Sequence, residues 1–296
     1  MKINLKNLTH IGKIVDNGQD GAIYGKYLFS INRYGEVNVY DIESFGESVS
    51  PEDKIDSFKL DKWEVVCPHN NATCFGSEFY EEGDEFPLMY TNIYNNYAGS
   101  AKPLKGVCCV YRVVRDGEKF STTLVQMIEI GFVEDADLWK MSADADCDRP
   151  YGNFTVDREN NVFYGFTMRS VKDGTRYFAF DLPRAHDGEI DEDFGVKKVV
   201  LRPEDIKYYF DTEHHYYLQG ACCHKSLIYS LEGFYTDELP PRLRVIDPVE
   251  KKQLVEVDLR EFAPSIEPEF IDFCGDVCYY SDEHGNLYIM DFDIQA

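Results

Sequence analysis

The carboxyl-terminal stretch Glu269-Phe-Ile-Asp-Phe-Cys-Gly-Asp-Val-Cys-Tyr-Tyr-Ser-Asp-Glu-His-Gly-Asn-Leu-Tyr-Ile-Met-Asp-Phe292 has the clearest structural pattern in the chain. It contains three short runs of β-branched and aromatic residues, at 270–274, 277–281 and 287–292. Gly, Asn and Asp occupy the positions between the runs. Apolar runs punctuated in this way are typical of antiparallel strands joined by hairpin turns. The stretch is therefore predicted to form three strands.

The same order of strands recurs upstream, usually with a fourth strand added. Predicted first strands lie at 21–24, 71–74, 153–156, 220–223 and 271–274. Second strands follow at 27–31, 88–93, 162–166, 227–231 and 277–280, and third strands at 37–41, 108–114, 176–181, 243–247 and 287–291. Fourth strands are predicted at 57–60, 124–130, 196–201 and 253–257.

The last unit ends one strand short, and residues 2–8 at the other end of the chain alternate as a strand would. Repetition of four-stranded units in a fixed order indicates blades around an axis. The pattern resembles the β-propeller superfamily over essentially the whole chain. It shows neither the Trp-Asp dipeptide of WD40 repeats nor kelch glycine pairs, so the resemblance implies an architecture and no functional family.

The predicted fold is thus all-β: a five-bladed β-propeller of four-stranded antiparallel blades, with the ring closed by the amino-terminal strand. We expect a single domain over residues 1–296. Its predicted blades span 20–63, 70–139, 150–209, 217–262, and 269–296 together with 2–8. A six-bladed propeller is the alternative, because residues 133–150 and 183–195 are long enough to contain further strands.

Composition limits the partners. The 296 residues carry a net charge of -24, which argues against nucleic acid or an anionic membrane, because phosphate groups are bound by clustered Lys and Arg. No run is long and apolar enough for a signal or a membrane span, so a soluble, cytoplasmic protein is expected, although a chain trimmed of its signal would look the same. The nine Cys are expected to be reduced.

The architecture implies that the first strand of each blade lines a central channel. Near the start of these strands, polar residues recur at Asp20, Asn70, Asn71, Asn153, Gln219 and Asp272. Such a ring of amides and carboxylates suits a carbohydrate, another small polar ligand or a hydrated cation. The alternative is that these groups hydrate the channel and bond to loop amides. Loops at 16–19, 65–70, 141–151, 210–218 and 263–268 and a hairpin tip at 95–105 are expected at the same end.

Two classes of function follow. The preferred one is a non-enzymatic scaffold that binds a ligand or a protein partner at the channel mouth. The alternative is a carbohydrate-active hydrolase, because five-bladed propellers include glycoside hydrolases with inner-strand carboxylates. Asp20 and Asp272, with Glu269 as a possible acid, would then be catalytic.

Metal and cofactor sites are not predicted. His214 and His215 are adjacent and would point to opposite faces of a strand, and His69 and Cys67 lack the spacing of a zinc motif. Phosphate loops and nucleophile elbows are also missing from the sequence. The Tyr and Phe pairs at 208–210 and 216–217 are interpreted either as an aromatic rim of the channel or as packing between blades.

Overall fold

The computed structural model describes residues 2–15, 18–66, 69–93, 104, 106–131, 137–140, 150, 153–170, 174–212 and 217–295. In chain order the strands are β1 (Lys2–Lys13), β2 (Gly18–Tyr24), β3 (Tyr27–Asn32), β4 (Glu36–Asp41), β5 (Asp56–Lys59), β6 (Asn70–Phe75), β7 (Met89–Ile93), β8 (Val107–Asp116), β9 (Lys119–Ile130), β10 (Asn153–Asp157), β11 (Val162–Ser170), β12 (Gly174–Asp181), β13 (Glu189–Asp191), β14 (Val196–Leu201), β15 (Tyr208–Thr212), β16 (Leu218–His224), β17 (Leu227–Glu232), β18 (Arg242–Asp247), β19 (Lys252–Asp258), β20 (Pro268–Cys274), β21 (Val277–Asp282) and β22 (Asn286–Gln295). Short helical segments lie at Trp63–Val66, Ile42–Ser44, Pro51–Asp53, Pro203–Asp205 and Leu259–Glu261. None of the helices in this part of the chain has the length and apolar character needed to cross a membrane.

The strands form five sheets, numbered here as blades in the order of their inner strands. The blades are β2-β3-β4-β5 (blade 1), β6-β7-β8-β9-β14-β13 (blade 2), β10-β11-β12-β15 (blade 3), β16-β17-β18-β19 (blade 4) and β20-β21-β22-β1 (blade 5). The inner strand of each blade contacts those of both neighbours, and β20 contacts β2 to complete the circle. The five-bladed propeller prediction is confirmed.

Both faces of a blade are buried, which explains the density of β-branched and aromatic residues. On β4, Val37 and Val39 pack into a cluster with residues of blade 2, whereas Tyr40 packs with Phe270 of blade 5. Successive side chains of a strand point to opposite faces, so one strand supplies two cores. The described residues contain five such buried clusters, one for each contact between neighbouring blades.

Closure by the amino-terminal strand is also confirmed. β1 pairs antiparallel with β22 from Lys2 opposite Gln295 to Lys13 opposite Asn286, so the closing strand runs well past the predicted residues 2–8. Ile3 on this strand is buried in the cluster shared with blade 4. The two ends of the chain are therefore hydrogen-bonded in one sheet, in which β1 is the outer strand and pairs with the edge of β22.

One strand assignment was wrong. Residues 196–201 were predicted as the fourth strand of the third unit, but β14 pairs in parallel with β9 and extends blade 2. The fourth strand of blade 3 is β15, where Phe210 stacks on Tyr177 at 5.0 Å between ring centroids and Asp211 bonds to Arg176. An apolar run predicts a strand but not its partner, and here the segment 182–195 crosses to the neighbouring blade, where Phe194 is buried.

Candidate functional site

A cavity of about 310 Å³ opens at the end of the propeller where the inner strands begin. Most of the side chains that line it are acidic, amide, basic or aromatic. Carboxylates are contributed by Glu267, Glu269 and Glu283, amides by Gln19, Asn71 and Gln219, and basic or aromatic groups by Arg33, His69, Tyr217 and Phe234. The cavity is therefore a polar basin with an excess of acidic groups.

Two turns with the same sequence pattern carry charged residues to this cavity. Residues 32–36 join β3 to β4, and residues 282–286 join β21 to β22. In each turn the first side chain, Asn or Asp, accepts backbone N–H bonds from the third and fifth residues, at 2.9 and 3.1 Å in one turn and 3.0 and 3.1 Å in the other. The fourth residue is a Gly with φ of 71° or 74°. The second residues, Arg33 and Glu283, line the cavity.

The acidic side of the cavity is built on the start of β20. Glu269 is 2% exposed, and its Oε1 accepts a bond of 2.9 Å from Gln19 Nε2. Its Oε2 is buried and has no hydrogen-bond partner among the described residues. Glu267 accepts a bond of 2.5 Å from Gln219 Nε2. A buried carboxylate oxygen without a donor is costly to keep, and Oδ2 of Asp20 is a second such oxygen among the described residues.

Burial and the repulsion between neighbouring carboxylates raise the pKa values of Glu267 and Glu269. The pKa of Glu267 is raised to about 7 by burial and by the charge of Glu283, against a smaller opposing effect of the Gln219 bond. The pKa of Glu269 is raised well above its ordinary value by burial and by Glu267 and Asp20. The Glu267 carboxyl group, with a pKa of about 7, therefore retains a proton to higher pH than an ordinary glutamate, and the raised pKa of Glu269 is a shift in the same direction.

The basic and aromatic groups form another part of the lining. Burial, and then the charge of Arg33, lower the pKa of His69. Tyr217 and Phe234 pack with their ring centroids 4.8 Å apart, and Tyr217 remains 43% exposed. Their rings give the cavity an apolar wall beside its charged groups.

Of the predicted ligand-binding residues, Asn71 and Gln219 line the cavity, as does Glu269 from the alternative catalytic set. The amides also tie the inner strands together. Asn71 Nδ2 donates to the carbonyl oxygen of Leu218 at 2.7 Å, and Asn153 donates to that of Gln219. Asn70 is fully buried and donates to Thr91 at 2.7 Å. Neither Asn70 nor Asn153 is among the cavity-lining residues.

The predicted carboxylate pair, Asp20 and Asp272, lies outside the cavity lining. Asp272 accepts backbone bonds from Ile23 at 2.7 Å and Phe273 at 2.8 Å, and burial raises its pKa to about 6. Asp20 is 3% exposed, and burial raises its pKa well above the ordinary value despite donors at Gly21. Asp272 is thus engaged by the backbone of β2 and β20.

The remaining residues considered from the sequence are the His and Cys residues and the long loops around the channel mouth. Cys67, His214 and His215 lie outside the described residues, as does almost all of the 95–105 tip and the 141–151 loop. Within the described ranges no group of three or more His, Cys, Asp or Glu side chains converges as a metal site. Burial raises the pKa of the Cys222 and Cys223 thiols, which opposes a nucleophilic role.

Glu267, Glu283 and Arg33 were missed at the sequence level. A usable signal exists for two of them: the segments Asn32-Arg-Tyr-Gly-Glu36 and Asp282-Glu-His-Gly-Asn286 occupy the same position in their repeats. Aligning these turns would have placed Arg33 and Glu283 at one end of the channel. For Glu267 the signals are its place in the 263–268 loop, which was expected at this end, and its spacing of two from Glu269, which is common where a strand begins.

Comparison with known proteins supports the fold and no function. No family model matches the sequence, and no curated protein matches it. Among solved structures, the chain is similar to the crystal structure of Myxococcus xanthus glutaminyl cyclase, with a TM-score of 0.53 and 7% identity over 99% of this chain and 97% of that chain. At this identity the similarity indicates a shared fold only.

Proposed function

We propose that this propeller is a binding protein that takes a small polar ligand in the cavity at the channel mouth. The observation that carries the proposal is that Glu269 lines the cavity and that its buried Oε2 atom has no partner among the described residues. A bound ligand with a donor group would satisfy this atom. Ligand sites characteristically combine a concave apolar wall with a few convergent polar groups, as this cavity does.

The size of the cavity favours a small molecule over a protein loop. Its volume of about 310 Å³ is at the lower end of the roughly 300–1,000 Å³ range of small-molecule pockets. Gln19 and Gln219 already bond to Glu269 and Glu267, so these polar groups are held in place before any ligand arrives. Preorganised groups of this kind lower the ordering cost of binding.

An acid–base enzyme is the second candidate, and one observation favours it. A carboxyl group with a pKa of about 7, such as Glu267, is suited to proton transfer near neutral pH. Glu267 and Glu269 are then the groups available for catalysis, because Asp272 of the originally predicted pair is bonded to backbone amides. Glutaminyl cyclase shows that the fold hosts enzymes, but 7% identity carries no activity to this chain.

The test is a thermal-shift screen of the full chain against sugars, amines, amino acids and small carboxylates. Tyr217→Ala removes an exposed part of the cavity wall, and Tyr235→Ala removes a Tyr that is 57% exposed and outside the lining. A ligand at about 100 times its dissociation constant stabilises the fold by about 2.7 kcal/mol, enough for a clear rise in Tm. The rise should be lost in Tyr217→Ala and kept in Tyr235→Ala.

If no compound raises Tm in a manner that depends on Tyr217, the binding proposal is wrong. NMR spectra of each hit, recorded after prolonged incubation with the protein, separate the two candidates. An unchanged compound supports a binding protein, and conversion that is abolished by Glu267→Gln supports the enzyme.

A further inference from the structure

Two features distinguish this cavity from a general polar pocket: acidic side chains outnumber basic ones in its lining, and a carboxylate oxygen beside it lacks a hydrogen-bond partner among the described residues. Three carboxylates line it, and the buried Oε2 of Glu269 lacks a partner among the described residues. In its ionised form the Glu269 carboxylate only accepts hydrogen bonds, so a ligand that completes the site in that form brings an N–H or O–H donor and displaces any proton that the group carries. A positive charge on that donor would also offset the repulsion among Glu267, Glu269 and Glu283.

Building on the ligand-binding function above, we propose that the cavity binds an organic ligand through a protonated primary amine whose N–H groups bond to Glu269 and the neighbouring carboxylates. The amine end lies against β20, and the body of the ligand lies along Tyr217 and Phe234. A cation beside an aromatic face gains a further cation–π attraction. The ring pair, with centroids 4.8 Å apart, supplies that face.

Two alternatives to a primary amine are less consistent with the site. A quaternary ammonium group has the charge but no N–H, so it would leave the buried Oε2 of Glu269 unsatisfied. A bare metal ion needs several ligands converging at bonding distance, and the described residues contain no group of three or more His, Cys, Asp or Glu side chains placed to hold one. A larger cation can instead contact carboxylates that do not converge on a point.

The charges on every side of the cavity set the expected pH dependence. Around Glu267 and Glu269 lie Glu283 from the β21–β22 turn, Asp20 from β2, Tyr280 from β21, and the cavity-lining Arg33 and His69. The pKa of Glu267 is about 7, so a cation that requires its ionised form displaces a proton at lower pH. Affinity for the cation should therefore rise as pH rises through 7, by about tenfold between about pH 6 and pH 8 if one proton is released.

The experiment is isothermal titration calorimetry of the full chain with matched probes at about pH 6 and about pH 8. The probes are 2-phenylethylamine, its N,N,N-trimethyl analogue, 2-phenylethanol and 3-phenylpropionate, with calcium chloride as a metal control. The primary amine should bind best, more tightly at the higher pH and with proton release. The trimethyl analogue and the alcohol should bind at least about tenfold more weakly, since each lacks either the N–H or the charge.

A matched pair of variants tests the role of Glu269. Glu269→Gln keeps the size of the side chain and removes its charge, and it should weaken amine binding by about tenfold or more. Glu118→Gln makes the same change on the exposed β8–β9 turn and should leave binding unchanged. The Tm of both variants shows whether they fold, and the comparison of probes on the unaltered protein is independent of any variant.

The outcomes separate this inference from the function on which it rests. Equal binding of the trimethyl analogue, preference for the alcohol, the carboxylate or calcium, or affinity that rises as pH falls would each overturn the amine proposal. If none of the amines binds while another compound binds in a Tyr217-dependent manner, the amine proposal fails and the binding function stands. If no compound of any class binds in a Tyr217-dependent manner, both the amine proposal and the binding function are wrong.

Discussion

At the scale of single residues, the buried ion pair between Arg244 and Glu232 contrasts with the carboxylates of the cavity. Both side chains are 0% exposed, and Arg244 Nη1 bonds to Glu232 Oε1 at 3.0 Å. The guanidinium also bonds to Gln253 and, across to blade 3, to Thr212. The buried guanidinium of Arg244 therefore has hydrogen-bond partners, whereas the Oε2 atom of Glu269 at the cavity has no hydrogen-bond partner among the described residues.

Removing one member of this pair should be more harmful than removing both. Arg244→Met leaves the Glu232 carboxylate buried beside an apolar side chain, and we expect a loss of about 3–5 kcal/mol in the free energy of unfolding. The double variant Arg244→Met/Glu232→Leu should recover a substantial part of that loss, because no buried charge remains. Urea unfolding of the three proteins measures this. Equal stability of the single and double variants would contradict it.

A second prediction at this scale concerns the pH dependence of the unliganded protein. A carboxyl group whose pKa is raised by folding stabilises the fold only while it is protonated. Glu267, with a pKa of about 7 against an unfolded value of about 4.3, therefore costs stability progressively as pH rises from about 4.5 to beyond 7.

The Tm of the unliganded protein should accordingly be lower at about pH 8 than at about pH 5.5. Glu267→Gln should flatten this slope, because an amide does not titrate, and Glu118→Gln should not. Thermal unfolding across this pH range provides the measurement. A slope that Glu267→Gln leaves unchanged would show that Glu267 does not have the raised pKa.

At the scale of elements, the cavity depends on how closely β16 approaches β20. A Cβ atom added at Gly220 would lie 2.1 Å from the carbonyl oxygen of Glu269, so only Gly allows this approach. The turn at residues 282–286 has a similar requirement, since a Cβ at Gly285 would lie 1.9 Å from the carbonyl oxygen of Val15. Backbone contacts of this kind fix the position from which Glu269 enters the cavity.

Gly220→Ala should therefore separate the two inner strands and cost about 1–3 kcal/mol of stability. Gly46→Ala is the matched control, because a Cβ there meets nothing within 4 Å. Urea unfolding compares their stabilities, and calorimetry with the best ligand compares their affinities. If Gly220→Ala were as stable as Gly46→Ala and bound ligand equally well, the close approach would not matter.

The elements also show what a single sequence can and cannot predict. Runs such as 277–281 became strands because their residues must bury both faces between blades. Val196–Leu201 was recognised as a strand but assigned to the wrong blade. The pattern of apolar residues indicates that a strand is buried, but it does not indicate which neighbouring strand it pairs with. Asn71, Gln219 and Glu269 were predicted near the channel mouth from their place in the repeats. The 263–268 loop was expected at the same end, but Glu267 was not singled out, because its raised pKa depends on burial, on Glu283 in another turn of blade 5 and on Gln219 in blade 4.

At the scale of the whole molecule, closure joins the first and last strands of the chain. Lys2 lies opposite Gln295, so the amino and carboxyl ends are neighbours in one sheet. Blade 5 therefore cannot be completed without β1, and opening the ring would expose β22 and the face of blade 4 that β1 covers.

A circular permutant tests this arrangement. Joining Ala296 to Met1 through a short Gly/Ser linker, with new ends in the exposed turn at Gly117-Glu118, should preserve cooperative unfolding and ligand binding because every blade remains complete. Deleting residues 1–13 should instead abolish cooperative unfolding. Circular dichroism during thermal unfolding compares the two. A well-folded deletion variant would contradict closure by β1.

Amine binding in the cavity is tested most directly by a crystal structure of the full chain with its tightest amine ligand at about pH 8. We expect ligand density in the cavity, with the amine nitrogen within hydrogen-bond distance of Glu269 Oε2 and the ligand body against Tyr217 and Phe234. An empty cavity in crystals grown with saturating ligand, or a ligand bound elsewhere on the propeller, would contradict it.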